Sequence, residues 1–296
     1  MDLRQLRQFL AAVEHRNLGR AAASLHITTP ALSKSLANLE TELGVRLVDR
    51  GPRGVTPTVF GASLTRHAKT MAAEERHARA DIARLQGAEQ GRIAVGGTAS
   101  AGGALLVRAL AALSQARPGV RIDVVGGRHG ALIESLRDGA LDLVVTGFGT
   151  DAPDPNLKTH VLADDTYATV VRAAHPLARR RRIAPADVVA YPWVVASNIA
   201  EVIPGWARVF TDEGLDPPQP AIASDSYLFI KSVLGEGDFV AVLPRDIIGA
   251  ADAGVLAVLK IEGIAWSRRV RAVTRARGTQ PPAVDVLLET LSRLAA

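Results

Sequence analysis

Apolar residues recur at helical spacing from the start of the chain: Leu3, Leu6, Phe9, Leu10 and Val13. They predict a first helix. Asn17 is suited to cap a second, whose apolar residues are Leu18, Ala21, Ala22 and Leu25. The small alanines leave room for another helix to approach closely. His26-Ile27-Thr28 breaks the pattern. Thr28 or Thr29 then offers an N-cap oxygen, and Pro30 fits the first turn, where its missing N–H has no intrahelical partner anyway. Leu32, Leu36, Leu39 and Leu43 line one face of a third helix, which Gly44 ends as a C-cap. A short helix, a tight turn and a capped helix read as a helix-turn-helix.

The face opposite those leucines carries Pro30, Ser33, Lys34, Ala37, Asn38 and Thr41, and it is nearly free of acids until Glu40 and Glu42. Such a face suits a helix entering a major groove N-terminus first, where the helix dipole favours phosphate. An ordinary solvated helix face would look similar. Two short extended pieces follow, around the tip Gly51-Pro52-Arg53-Gly54, and predict a β-wing. Arg50 and Arg53 on it would reach phosphates or the minor groove.

From Thr58 to about Gln86 one long helical pattern runs through Leu64, Ala68, Met71, Ala78, Ile82 and Leu85. The steps alternate four and three, with Glu75 in the one missing seam position, which predicts a heptad seam for dimerisation. About 28 residues at 1.5 Å each make an arm of roughly 42 Å.

Beyond residue 90 strands and helices alternate. Ile93 and Val95 open a strand; Leu105 to Leu113 make a helix; Val120, Ile122 and Val124 a strand; Leu132, Ile133 and Leu136 a helix ending at Gly139; Leu141 to Val145 a third strand. This order means a parallel sheet with helices on both faces. A second set begins near Tyr167–Ala173 and includes Trp193–Ala196, helices over about Pro204–Glu213 and Ser226–Leu234, and a strand Phe239–Leu243. Val270–Thr274 reads as a strand returning to the first set, before a final helix opened by Pro281-Pro282. One α/β unit is thus inserted in another, with crossovers near His160–Ala168 and Ile264–Val270. Two lobes joined twice form a hinged cleft. Ligands of open α/β sheets bind beyond the carboxyl ends of strands, at helix N-termini. That selects Thr98, Ala99, Ser100, Arg128 or its neighbour His129, Thr146 and Phe148 from one lobe, with Ser197, Asn198 and Ser224 from the other. Hydroxyls and free N–H groups there would hold a carboxylate or another polar metabolite; Thr98 and Ser224 would equally serve as helix caps.

Composition narrows the classes. The 296 residues contain no Cys, which excludes disulfides, thiolate metal sites and a Cys nucleophile. The seven His show no pair at ligand spacing, so neither a metal nor a cofactor is expected. The net charge of +5 is concentrated: 13 Lys and Arg against 9 acids lie before residue 91, and 22 against 21 after it. A basic first third points to a polyanion. Aromatics make up only 4%, and all three Trp lie beyond residue 190, which disfavours stacking on single strands. No secretory signal and no membrane span is expected, so the protein reads as cytoplasmic, with no membrane partner. Arg179-Arg180-Arg181-Arg182 reads as a solvated face.

Three functions compete on the residues alone. One is a DNA-binding regulator gated by a small molecule. Another is a solute-binding protein of a transport system, disfavoured by the N-terminal helix-turn-helix. The third is an enzyme; Asp142, Asp164 and Asp165 are available carboxylates, but no nucleophile–base pair is visible.

The order and spacing of Met1-Asp2-Leu3-Arg4-Gln5-Leu6, Phe9, Val13, Arg20-Ala21-Ala22, Leu25, Pro30-Ala31-Leu32-Ser33, Leu39-Glu40, Leu43-Gly44, Leu47, Arg50, Thr56-Pro57 and Gly61 resemble the LysR-type transcriptional regulators. Gly139-Ala140-Leu141-Asp142, His175-Pro176-Leu177-Ala178, Gly235-Glu236-Gly237 and Leu243-Pro244 extend the resemblance over essentially the whole chain. Thr28-Thr29 stands where the family usually has Ser-Gln, and Val48 where a Phe is common. The resemblance implies an α/β protein overall: a mainly α winged helix-turn-helix domain (1–58), a dimerising linker helix (59–89), and two Rossmann-like α/β subdomains with a hinged cleft (90–161 with 268–296, and 162–267). It implies no enzymatic activity. It implies double-stranded promoter DNA as partner, read by Thr28, Thr29, Pro30, Ser33, Lys34, Asn38, Arg50 and Arg53. It also implies a small-molecule effector in the cleft and self-association as a dimer or a tetramer built as a dimer of dimers. RNA polymerase is a further partner to consider.

Overall fold

The computed structural model describes residues 1–51, 54–85, 91–98, 103–148, 154–197, 199–203, 205–261 and 266–295. The predicted Arg53, Ala99, Ser100 and Asn198 lie outside them.

Helix α1 (Leu3–His15) starts at a capping box: Asp2 accepts from the Gln5 N–H at 2.7 Å, and the Gln5 side chain accepts from the Asp2 N–H at 2.9 Å. Asn17 caps α2 (Leu18–Ser24). Thr28 caps α3 (Thr29–Leu43), and Gly44 ends it in the left-handed conformation at φ 69°. The wing is the antiparallel pair β1 (Val48–Gly51) and β2 (Gly54–Pro57). Phe9, Leu32, Leu36, Leu39, Leu47 and Val55 form the core, with Ala12, Ala21 and Ala22 between the helices.

The arm α4 (Val59–Leu85) is one unbroken helix of 27 residues. Its predicted seam, however, is divided. Leu64 and Ala68 pack on Leu6 and Leu10 of α1 in the same chain. Met71 and Ile82 are exposed, at 42% and 56%. The apolar stripe of α1 needs cover that its own three-helix unit lacks, and the first turns of α4 supply it. Glu75 fits the same arrangement, because it pairs with Arg7 of α1 and with Arg79.

The larger part holds β3 (Gly91–Gly97), α5 (Ala104–Ala116), β4 (Val120–Gly126), α6 (His129–Arg137), β5 (Leu143–Thr146) and β6 (Leu157–Arg172). It continues with α7 (Pro185–Val189), β7 (Trp193–Ala196), α8 (Ile199–Val202), α9 (Arg208–Thr211), β8 (Pro220–Ser224), α10 (Tyr227–Glu236) and β9 (Val240–Pro244). It closes with β10 (Leu256–Leu259), β11 (Trp266–Arg275) and α11 (Pro282–Ala295). The strands run in the order β4-β3-β5-β11-β6-β9-β7-β8, with β10 also on β6. β3 is parallel to β4 and β5, and β7 is parallel to β8 and β9. Between these parallel sets β6 and β11 run antiparallel from Leu157↔Arg275 to Tyr167↔Trp266. The pairing of β6 with β9 of the second set begins at Tyr167, so one 16-residue strand serves both lobes and crosses between them where the sequence placed a crossover. Each lobe has its own core, around Ile93, Leu143 and Leu287 in the first and around Trp193, Phe210 and Trp266 in the second.

The single helix predicted over 204–213 is not formed. A turn with Gly205 at φ 85° occupies its start, and within that range only the short α9 is helical among the described residues. Trp206 and Phe210 instead pack edge-on around Trp193, with ring centroids 5.5–5.9 Å apart. Both edge contacts and burial favour this arrangement over a regular helix. β8 and β10 escaped the sequence pattern because neither alternates cleanly; β8 is exposed at three of its five positions.

Candidate functional site

The first site grows from α3. Thr28 Oγ1 accepts the Ala31 N–H at 3.3 Å, so the helix starts at Thr29 and presents Thr29 and Pro30 in its first turn. Thr28, Thr29, Pro30, Lys34, Ala37 and Asn38 are exposed, and Ser33 is half-buried. The predicted reading face is therefore accessible along its N-terminal half. Thr41 is less available, since its hydroxyl donates to the Ala37 carbonyl at 2.8 Å. Arg50 is exposed on β1.

Glu40 plays a part the spacing did not reveal. Its carboxylate accepts the N–H groups of Leu47 at 2.7 Å and Val48 at 3.1 Å. An acid on α3 thus ties that helix to the root of the wing. Thr58 Oγ1 donates to the Arg46 carbonyl at 2.7 Å and accepts the Gly61 N–H at 3.0 Å, joining the arm to the same root. A Cβ on Gly61 would stand 2.0 Å from the Leu47 carbonyl oxygen, so only glycine permits this approach.

The residues predicted for a second site sit at strand ends of the two lobes. Thr98 is buried and its N–H donates to the Val145 carbonyl at 3.1 Å. Thr146, fully buried, contacts His129 Nδ1 at 3.1 Å and accepts the Phe148 N–H at 3.1 Å. Of Arg128 and His129, the histidine turns inward; Arg128 is the exposed N-cap of α6 and makes no side-chain cap bond. Phe148 leaves the first lobe and packs against the core of the second, with its ring centroid 6.1 Å from that of His129. On the second lobe Ser197 and Ser224 are adjacent, since the Ser197 N–H donates to the Ser224 carbonyl at 3.2 Å. Ser224 Oγ also accepts the Ser226 N–H at 3.1 Å, and Ser226, not Ser224, caps α10. The structure thus gathers Thr98, Thr146 and Phe148 on one lobe, and Ser197 and Ser224 on the other.

Sequence reasoning passed over Arg268 and Tyr167 at the crossing of β6 and β11. Arg268 is buried, bonds Asp165 at 2.6 and 2.8 Å, and lies 5.3 Å over the Tyr167 ring. A Cβ on Gly147 would come within 2.8 Å of its guanidinium. Burial pushes the Tyr167 hydroxyl up, against the opposing pull of Arg268. An open depression of about 420 Å³ lies beside this crossing, lined by residues such as Leu105, Arg108, Asp164, Arg245 and Asp246. None of the described residues predicted to bind an effector lines it. There, burial and then the Asp165 carboxylate hold Asp246 above the ordinary carboxylate range.

Two of the three carboxylates considered for catalysis are held in structural contacts. Asp142 accepts the Ala94 N–H at 2.8 Å and faces Arg275 at 3.7 Å, and Asp165 holds Arg268. Asp164 is exposed, 3.7 Å from Arg269. The four arginines at 179–182 are exposed, with Arg180 on Asp187 at 2.7 Å. Among the described residues no helix is long and apolar enough to cross a membrane.

A winged helix-turn-helix joined by a rigid helix to a hinged two-lobed α/β unit defines a DNA-binding regulator with a ligand-binding half. Comparison with known proteins makes this specific. Residues 3–62 match the bacterial regulatory helix-turn-helix protein, lysR family, and residues 86–296 match the LysR substrate binding domain. The chain belongs to the LysR family of transcriptional regulators: it is a DNA-binding regulator with a substrate-binding domain for a small-molecule effector, not an enzyme. It is 33% identical over 292 residues to the SDS degradation transcriptional activation protein of a Pseudomonas species, covering 97% of this chain and 94% of that one. It is 31% identical to the HTH-type transcriptional regulator GbpR of Azospirillum brasilense, covering 83% and 72%. A full-length OxyR variant from Pseudomonas aeruginosa shares the fold at a TM-score of 0.72 and 22% identity, over 99% of this chain and 98% of that one. The LysR family regulator CbnR does so at 0.69 and 20%, over the full length of both.

Proposed function

We propose that Thr28, Thr29, Pro30, Ser33, Lys34 and Asn38 meet base edges and phosphates of a promoter duplex, while Arg50 and Arg53 of the wing hold the flanking backbone. The exposed, acid-free N-terminal half of α3 is the observation that carries this reading. Thr29 in place of the family's Gln gives a looser base contact, since Gln pairs bidentately with adenine and Thr does not.

The effector, a carboxylate or another polar metabolite, is assigned to the cleft between two subdomains, 90–161 with 268–296 and 162–267. Thr98, Ala99, Ser100, Arg128, Thr146 and Phe148 would hold it from one side, and Ser197, Asn198 and Ser224 from the other. Support comes from the inward Thr146 hydroxyl and from Phe148, which spans the lobes. Effector binding favours one hinge angle over another, a population shift that the linker helix (59–89) passes to the DNA-binding domain (1–58). Self-association as a dimer, and as a tetramer of two dimers, presents two readers to two half-sites. Exposed Met71 and Ile82 on α4, Val124 and Val125 on edge strand β4, and Leu228 and Phe229 beside edge strand β8 support it. RNA polymerase would be met at the promoter, in the cytoplasm.

A thermal-shift panel of aromatic acids, sugars, amino acids and, because one relative is named for SDS degradation, short alkyl sulfates tests the cleft. A specific ligand at a hundred times its Kd adds about 2.7 kcal/mol of stability. Thr146→Ala should weaken that ligand about tenfold, the order of one lost buried hydrogen bond. A hit whose affinity is untouched by Thr146→Ala places the effector elsewhere.

A further inference from the structure

We propose that α6 is the strut through which the interlobe site and the α4 arm sense each other. It rests on the reading of the cleft as the effector site, but its test needs no effector. At nine residues α6 spans about 13–14 Å. Its two ends lie in the two places that a regulator of this architecture must connect.

At the N-terminal end His129 touches Thr146, and Thr146 holds the Phe148 amide, each at 3.1 Å. The body of the helix has little slack. Leu132, Ile133 and Leu136 are buried against Leu141, Val144 and Val273. Two glycines in the floor, Gly96 and Gly127, sit so close beneath Leu132 that a Cβ on either would stand 3.2 Å from it. A helix packed this way moves as a unit rather than bending. At the C-terminal end Arg275, itself buried, donates to the Leu136 carbonyl at 3.1 Å and to the Leu141 carbonyl at 2.6 Å. The last turn is thereby bolted to β11, which runs on to the second lobe.

The arm lands on that same end. Lys69 Nζ meets Asp138 Oδ2 at 3.2 Å, and Arg76 donates to the Gly139 carbonyl at 3.0 Å. Ala73 is buried between these two contacts. Gly139 is left-handed at φ 74°, and a Cβ on it would fall 2.3 Å from the Ala73 Cβ. Backbone and helix thus touch with nothing between them. Glu74 adds a bond from the Thr279 N–H at 3.3 Å. A change of lobe angle that shifts His129 must shift Asp138 and Gly139, and so the seat of α4. Helix shifts of about 1–2 Å are a recognised size for such switches.

Coupling of this kind is reciprocal, so disturbing the arm must be felt in the cleft. Hydrogen exchange of the full-length protein reads both ends. Ala73→Leu forces α4 away from Gly139; the double variant Lys69→Ala with Arg76→Ala loosens the same contact without adding bulk. Both should raise exchange at 138–140. Both should also raise it about three- to tenfold in a peptide covering 143–148, which contains the Phe148 amide, while β7 is unchanged. Faster exchange at 138–140 with no change over 143–148 overturns the proposal. So does a failure of both variants to loosen 138–140, because the contact then carries nothing to transmit. A ligand whose affinity is untouched by Thr146→Ala would refute the cleft assignment and leave this exchange result standing, so the two readings fail separately.

Discussion

His175 is buried, with Nδ1 accepting the Leu177 N–H at 3.1 Å and no hydrogen-bond partner for the buried Nε2 among the described residues. Burial holds its pKa below the ordinary histidine range, with the Asp238 carboxylate opposing. The folded second lobe therefore prefers the neutral ring. Its contribution is complete above about pH 6.5 and is lost as the pH falls from there through the lowered value, because the unfolded chain takes up the proton first. Urea unfolding followed by tryptophan fluorescence should show a midpoint that drops between pH 7.5 and 5.5. His175→Asn keeps an acceptor for Leu177 and should flatten that drop; an unchanged slope would show that another group governs it. His160 is shifted the same way, also by burial first, and adds to the drop in the same direction. The sequence made His175-Pro176-Leu177-Ala178 visible as a pattern, but its job depends on burial, which no spacing encodes. The same holds for Arg268: nothing local marks an arginine whose partner lies 103 residues away.

Elements with strong local signals were legible, and those decided by distant packing were not. Asn17 and Gly44 cap helices where the sequence placed the caps, and Thr28 is the cap of the two candidate threonines, because capping is a contact within one turn. The α4 seam kept its period but lost Leu64 and Ala68 to α1, since a helical stripe does not say which surface covers it. The helix expected over about Pro204–Glu213 gave way to an aromatic cluster assembled around Trp193 on the upstream strand β7. The wing depends on an element-to-element bond of this non-local kind. Glu40→Ala leaves the Leu47 and Val48 amides without their acceptor, at a cost of about 1–3 kcal/mol. Exchange of those amides should accelerate about five- to a hundredfold, with Glu40→Gln in between. Unchanged exchange would mean that the wing is fixed by β1–β2 pairing alone.

The whole molecule joins a basic reader to a nearly neutral ligand-binding half, and crossing strands divide that half into two lobes. β6 and β11 are shared by both lobes, so the hinge is a pair of hydrogen-bonded strands rather than a loose linker. The alternation of strand and helix made the two lobes readable in the sequence, whereas the cleft was readable only as loops at strand ends. Its inward histidine and the Phe148 bridge follow from how the loops pack. The reader itself is tested most directly by selection from a random pool of duplex DNA with the full-length protein. The account predicts enrichment of a dyad-symmetric sequence whose half-sites lie one helical turn, about 10 base pairs, or a multiple apart, with the enrichment reduced by Ser33→Ala together with Lys34→Ala. A pool that stays random, or a preference for single strands undiminished in that variant, would contradict it.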